Sequence, residues 1–332
     1  MFHNLSKEEC ELYILKLIYK VEEFSIVKKR EEPDFELKII SDESTFGVEI
    51  TEFYFSRSNA RLKNIPTYFG EIMNNKRYRH KKDKKVLALN ELTLISDKGD
   101  EQLIEGIVEE LPTIETYSNL VAETIKIKNK KFENYDNKLN HINLIIYDTE
   151  NRLIGENSRM FCHLFYKQKL KETLRNSPFR EIFYITRFDK DKEVWLPLKL
   201  IYLVSEIYLL NSFTNCKKNL KIDKYNNELK LFGEYLFRKG LKNMFTIETS
   251  SSYEIIWGNY GILIQGGNSV IIHDYREHLI PVQAQVFVNT VDYEVILDKD
   301  TMESIKMYSY ENIFETDMEF GVNRQVNNSL RK

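Results

Sequence analysis

The chain has 332 residues, 42% of them hydrophobic and 13% aromatic, enough for a packed core in one large domain or two ordinary ones. Lys and Arg number 48 against 51 Asp and Glu, a net charge of −3, so overall charge gives no argument for nucleic-acid binding and any such partner needs a local basic patch. Three widely spaced cysteines, Cys10, Cys162 and Cys216, form no CxxC pair and exclude a disulfide scaffold or a cysteine-rich zinc site.

No signal peptide opens the sequence and no run of about 18 apolar residues appears, so the expectation is a protein of the reducing cytoplasm without a membrane span. The most apolar stretch, 194 to 210, carries Lys199 and Glu206 and reads as a buried strand or helix.

Ser6-Lys7-Glu8-Glu9 is a capping box that opens a helix expected to reach about residue 24, with Ile14, Leu15, Leu17, Ile18 and Val21 on its apolar face. Residues 25 to 31 read as a first strand. Residues 33 to 40 and 46 to 54 are rich in β-formers, and Ser41-Asp42-Glu43-Ser44 supplies a turn between them. A turn centred between Ser41 and Asp42 sets Phe35 opposite Val48, Leu37 opposite Phe46, and Asp34 opposite Glu49. The two acids then share a face roughly 5 Å apart. They repel each other unless a cation or proton lies between them, and Mg²⁺ prefers such hard oxygen ligands. The other reading of the same spacing is a surface hairpin whose acids are simply solvated. Gly47, across from Glu36, leaves room for a backbone or ligand to come close.

A helix is expected over 66 to 79, followed by Lys76-Arg77-Tyr78-Arg79-His80-Lys81-Lys82-Asp83-Lys84-Lys85, with seven cations against one acid. A run of this kind is a solvated loop, or else a phosphate-holding segment in which Tyr78 stacks on a base. Residues 86 to 96 read as a strand closed by Asp97-Lys98-Gly99-Asp100, and two helices should follow, split at Pro112. The second, 114 to about 135, carries Lys126, Lys128, Lys130 and Lys131.

Residues 139 to 148 form a strongly β run with the pattern of a buried central strand, and Asp148 at its end reads as a cap or turn acid, or else as an extra metal ligand. A helix over 158 to 175 and a strand over 181 to 188 continue the alternation, which predicts a layered α/β domain spanning 1–211. From residue 212 the texture changes. A helix over 228 to 241 ends at Gly240, and 245 to 297 is dominated by β-formers, with a hairpin around Gly266-Gly267-Asn268. The expectation is a smaller C-terminal α+β domain, 212–332. His273, Asp274 and His278 complete no metal spacing and read as structural polar residues, while Trp195 and Trp257 read as core. There is no internal repeat, P-loop, G-x-S-x-G or Rossmann fingerprint.

Pro33-Asp34 at the head of one strand and Gly47-Val48-Glu49-Ile50-Thr51 in the next resemble the PD-(D/E)xK nuclease superfamily, in a variant with Glu-x-Thr in place of Glu-x-Lys. The resemblance covers roughly the first half of the chain and implies a restriction endonuclease-like mixed sheet flanked by helices. It implies a metal-dependent phosphodiesterase acting on DNA rather than RNA, with Mg²⁺ or Mn²⁺ held by Asp34 and Glu49 and by the Ile50 carbonyl. An acid from the first helix would assist, Glu11 or alternatively Glu8. Thr51 stands where the family has lysine; a lysine migrated to a neighbouring helix would replace it, Lys128 first, then Lys131 and Lys126. Nucleic-acid contacts fall to Lys76, Arg77, Tyr78, Arg79, Lys81 and Lys82. By analogy the setting is bacterial restriction or anti-phage defence, with a homodimer or a defence-system protein as partner. Two further readings stand beside this one: a nuclease-like fold without catalysis that binds nucleic acid or acts as a scaffold, and an unrelated fold.

Overall fold

The computed structural model describes residues 6–40, 44–108, 113–135, 138–150, 167–189, 192–216, 226–249, 252–265, 269–276, 284–287, 297 and 299–312. The expected turn at Ser41 and Asp42, the start of the helix expected over 158 to 175, the hairpin tip at 266 to 268, Cys162 and His278 lie outside the described residues.

Helix α1 (Lys7–Ile18) opens on the expected capping box: the Ser6 hydroxyl accepts from the Glu9 amide, and Glu9 reaches back to the Ser6 amide at 2.7 Å. It is shorter than expected. Tyr19 turns extended and is 3% exposed, its ring packed against Phe24, Phe46 and Phe183, so burial of one aromatic ends the helix and leaves Val21 61% exposed.

A six-stranded mixed sheet forms the centre, in the order β1 (Phe24–Lys29), β2 (Phe35–Ile39), β3 (Thr45–Phe53), β6 (Ile142–Asp148), β7 (Ile182–Asp189), β8 (Lys192–Pro197). β3, β6 and β7 run parallel and the other pairs antiparallel. The register of β2 on β3 is the expected one, Phe35 to Val48, Glu36 to Gly47 and Leu37 to Phe46. Every residue of β6 is buried, which suits a parallel strand covered on both faces. On one face α1 packs over Phe35, Leu37, Phe46, Val48 and Ile50. The other face is covered by α5 (Ile114–Lys131), α6 (Gln168–Arg175) and α7 (Leu198–Cys216).

Between β3 and α5 the chain leaves the sheet. α2 (Arg57–Asn64), α3 (Tyr68–Asn75) and α4 (Lys81–Val86) surround a small core of Tyr68, Ile72 and Leu87. From it extends a two-stranded ribbon, β4 (Leu89–Ile95) and β5 (Glu101–Ile107). Three expectations change here. The basic run is no open loop, because Lys81 onward is helical. The strand expected over 86 to 96 joins only β5, and residues 101 to 107, expected as helix, are its partner.

α8 (Asn226–Arg238) precedes an antiparallel sheet in the order β12 (Ser269–Asp274), β11 (Tyr260–Gln265), β10 (Tyr253–Trp257), β9 (Phe245–Glu248), β13 (Gln285–Val286), and α9 (Lys299–Asn312) follows. The boundary expected at 211/212 falls inside α7, and one apolar core runs from Ile146 and Tyr184 through Leu203 and Phe213 to Tyr235 and Ile255. Trp257 belongs to that core and Trp195 packs at the edge of the α1-side core. No described helix is long and apolar enough to cross a membrane.

Candidate functional site

Asp34 stands one residue before β2, so the register that pairs Phe35 with Val48 carries it opposite Glu49. Its Oδ2 accepts from the Ile50 amide at 2.7 Å, which locks the carboxylate against β3. Pro33 packs over Gly47: a Cβ there would stand 2.7 Å from Pro33 Cγ and 3.0 Å from Leu139 Cδ1. The space at Gly47, expected to admit a backbone or a ligand, is taken by the chain itself, by the ring of the proline that precedes Asp34.

Glu49 lies on the sheet face toward α5 and is 5% exposed. The buried stripe of α5, Ser118, Val121, Ala122 and Ile125, continues at helical spacing to residue 128. There the Lys128 amine meets Glu49 Oε1 at 2.5 Å, and both side chains are largely shielded from water. Lys126 turns to Glu123 at 3.5 Å and Lys131 is exposed. Glu49 Oε2 receives no hydrogen bond from the described residues. The buried Tyr135 phenol adjoins this carboxylate, and its pKa is raised by burial first, then by the Glu49 charge and by its approach to the Glu49 carboxylate as a hydrogen-bond donor. Nothing in the sequence reading drew Tyr135 to this place; only its distance of seven residues, two helical turns, from Lys128 could have suggested it.

Asp34 is pushed up to about 6, by burial first and then by the Glu49 charge, against the opposing pull of the Ile50 amide and Lys128. Glu11 adds to that negative potential from α1, but its carboxylate is engaged by Lys29 at 3.3 Å and Lys7 at 3.4 Å. Glu8 is exposed and shares Lys29 at 3.3 Å. Thr51, half-buried, follows Glu49 on the same strand face. Among the described residues no three His, Cys, Asp or Glu side chains converge as a metal-binding group. The donors on offer are Asp34, the unbonded Oε2 of Glu49 and the neighbouring Ile50 carbonyl. That set fits Mg²⁺ or Mn²⁺, since Mg²⁺ is held through one or two carboxylates with waters and substrate phosphates completing the shell.

The basic segment takes a different form. Its single acid, Asp83, is fully buried and accepts from Ser58 at 2.7 Å, Tyr68 at 2.5 Å and Arg61 Nε at 3.0 Å. Burial opposes its ionisation, but these bonds outweigh it and hold the carboxyl well below the usual range. Arg79 pairs with Glu71 at 2.5 Å, and Lys76 pairs with Glu105 at 3.0 Å. Tyr78, expected to stack on a base, is half-buried against the small core. Arg77, Lys81 and Lys82 stay exposed, and no hydrogen bond or ion pair joins them to Asp34, Glu49 or Lys128.

Other polar residues have structural partners. Asp148 accepts from Tyr117 at 2.6 Å and Thr186 at 2.9 Å, and His273 Nδ1 lies 3.0 Å from Glu254.

The fold thus defines a mixed α/β protein in which an acidic hairpin of a six-stranded sheet meets a lysine from a flanking helix. No protein-family model, curated protein or solved structure matches the chain.

Proposed function

We propose that the protein is a metal-dependent phosphodiesterase of the PD-(D/E)xK, restriction endonuclease-like kind, acting on DNA. One observation carries the reading: a lysine amine from α5 stands 2.5 Å from the carboxylate that faces Asp34 across the hairpin. Lysine is the group the Glu-x-Thr sequence lacks, and here it comes from another element.

In this reading Asp34, Glu49 Oε2 and the Ile50 carbonyl hold Mg²⁺ or Mn²⁺. When bound, the cation lowers the pKa of a coordinated water and neutralises charge on the leaving oxygen. Lys128 holds Glu49 in place, and its amine offers a fixed positive charge to the phosphate in the transition state. Thr51 can hydrogen-bond a water beside Glu49 but supplies no charge. Arg77, Lys81 and Lys82 remain open to a nucleic-acid backbone, though the reading rests on the carboxylates and the lysine alone.

The test is cutting of plasmid and linear DNA with Mg²⁺, Mn²⁺ or EDTA by the native chain and by Asp34→Ala, Glu49→Ala and Lys128→Ala. Cutting should require metal and vanish in both carboxylate variants, and it should fall about 10²- to 10³-fold in the lysine variant, the usual effect of removing one charge-stabilising group. DNA binding that weakens with salt, without cutting under any metal, would move the protein to the non-catalytic binding class. Neither cutting nor binding would reject both.

A further inference from the structure

Lys199 stands in the first turn of α7 and is 4% exposed. Its amide and the Ile182 amide both donate to Glu181 Oε1 at 2.9 Å, which pins the start of α7 to the start of β7. The side chain reaches the loop between α6 and β7, where the amine donates to the Phe179 carbonyl at 2.5 Å and the Ser177 carbonyl at 3.3 Å. Against it lies the Trp257 ring of the C-terminal sheet, at 4.8 Å. Burial lowers the pKa of this amine, and the Glu181 charge holds it up. Taking an ammonium out of water is costly, and an apolar side chain of similar volume would fill the space without that penalty. An apolar side chain would not fix two carbonyls.

The two residues whose carbonyls it fixes support the end of α5. The Ser177 hydroxyl donates at 2.8 Å to Oδ1 of Asn129, the neighbour of Lys128 in sequence. The Phe179 ring, fully buried, stands edge-on to Phe132 at 5.1 Å and lies 6.1 Å from Tyr135. The helix by itself holds this end weakly: its buried residues stop at Ile125, and Ile127, Lys130 and Lys131 are exposed. The 177–179 segment is therefore the support from which Lys128 and Tyr135 reach Glu49, and the Lys199 amine holds that segment in shape.

We propose that Lys199 is a positioning residue for the carboxylate–lysine site: by fixing the Ser177 and Phe179 carbonyls it holds the end of α5, and so keeps Lys128 and Tyr135 against Glu49. The C-terminal sheet acts on the site by the same route, since Trp257 is the surface on which the amine rests. The consequence for catalysis rests on the nuclease reading; the positioning itself does not.

Deuterium exchange of the full chain, followed on peptides that span 113–135, tests the positioning without any activity. Lys199→Met keeps an apolar stem against Trp257 and loses the donors. Ser177→Ala leaves Lys199 in place and removes the bond to Asn129. Both should retain a native far-UV spectrum, exchange residues 126–135 about tenfold faster or more, and leave 114–125 near native. Lys199→Gln, which keeps one donor, should fall between Lys199→Met and native, and it decides the matter where Lys199→Met does not fold. Leu15→Ala, a core loss beneath the opposite face of the sheet, should soften the molecule without singling out that end of α5. With DNA and saturating Mn²⁺, Lys199→Met should lower kcat about tenfold and leave KM within about twofold, because Lys199 is buried away from any substrate. Exchange of 126–135 at the native rate in the Lys199 variants, or loosened there no more than in Leu15→Ala, overturns the proposal. So does a native chain that cuts DNA beside a Lys199→Met variant that changes KM alone. A native chain that cuts no DNA counts against the nuclease reading, and the exchange rates then decide this inference on their own.

Discussion

Asp34, raised from 3.8 to about 6 in the folded chain, ties the site to stability. Between those two values the folded state holds more protons at this group than the unfolded state does. Without a cation, stability therefore falls as pH rises from about 4 through about 6, and above that the full deficit remains, at most about 3 kcal/mol. Asp34→Asn keeps an oxygen for the Ile50 amide and removes the charge facing Glu49. In EDTA at pH 7.5 the variant should melt above the native chain, and near pH 4 the difference should vanish. Mg²⁺ or Mn²⁺ should raise the native melting temperature and leave the variant's unchanged, because only a group that binds the folded state stabilises it. A native chain already more stable than the variant in EDTA at pH 7.5 would show that the carboxylate is not held under repulsion.

At the scale of elements, the hairpin depends on Gly47. A methyl group there would press on Pro33 Cγ at 2.7 Å and Ile142 Cγ1 at 3.1 Å, neither of them the free end of a flexible chain, and on the Leu139 Cδ1 methyl at 3.0 Å. Gly47→Ala should cost about 1–3 kcal/mol of overpacking. Because Pro33 precedes Asp34, it should also weaken Mn²⁺ binding, readable by titration calorimetry; a variant destabilised but with native affinity would separate the proline's packing from its aim. This hairpin was legible in the sequence because alternation sets Phe35, Leu37, Phe46 and Val48 on one face, and one slipped residue would have turned Asp34 and Glu49 into the apolar core beneath α1. The lysine was only partly legible, one of three on α5; the stripe of Val121 and Ile125 continues to Lys128, whose amine meets Glu49, while Lys126 and Lys131 lie off it. The β5 segment was not legible. Glu-Gln-Leu-Ile-Glu has helix-forming composition, and only pairing to β4 across the turn at Gly99, where φ is +84°, makes it a strand. The length of α1 was equally hidden, being set by the aromatic partners that Tyr19 finds far along the chain.

At the scale of the whole molecule, the shift in composition near residue 212 marks no break in the core. The C-terminal sheet is fastened to the central one by buried polar contacts as well as by α7. Arg180, ahead of β7, donates to the Gly258 carbonyl at 3.2 Å, and the Lys199 amine lies 4.8 Å above the Trp257 ring. Arg276, 3% exposed, pairs with Asp274 at 2.7 Å, lies 4.6 Å over Trp195 and donates to the Ile18 carbonyl, the last of α1, at 3.3 Å. One guanidinium thus joins the C-terminal sheet, the edge strand β8 and the helix that carries Glu11. Arg276→Ala leaves Asp274 unpaired and the α1 carbonyl without its donor, a loss of about 2–4 kcal/mol. Because the core is continuous, that loss should appear as an earlier midpoint of a single denaturant transition, followed alike by far-UV and aromatic near-UV signals. Two separated transitions, with only the later part of the chain affected, would mean that residues on either side of α7 fold independently and that the shared core does not couple them.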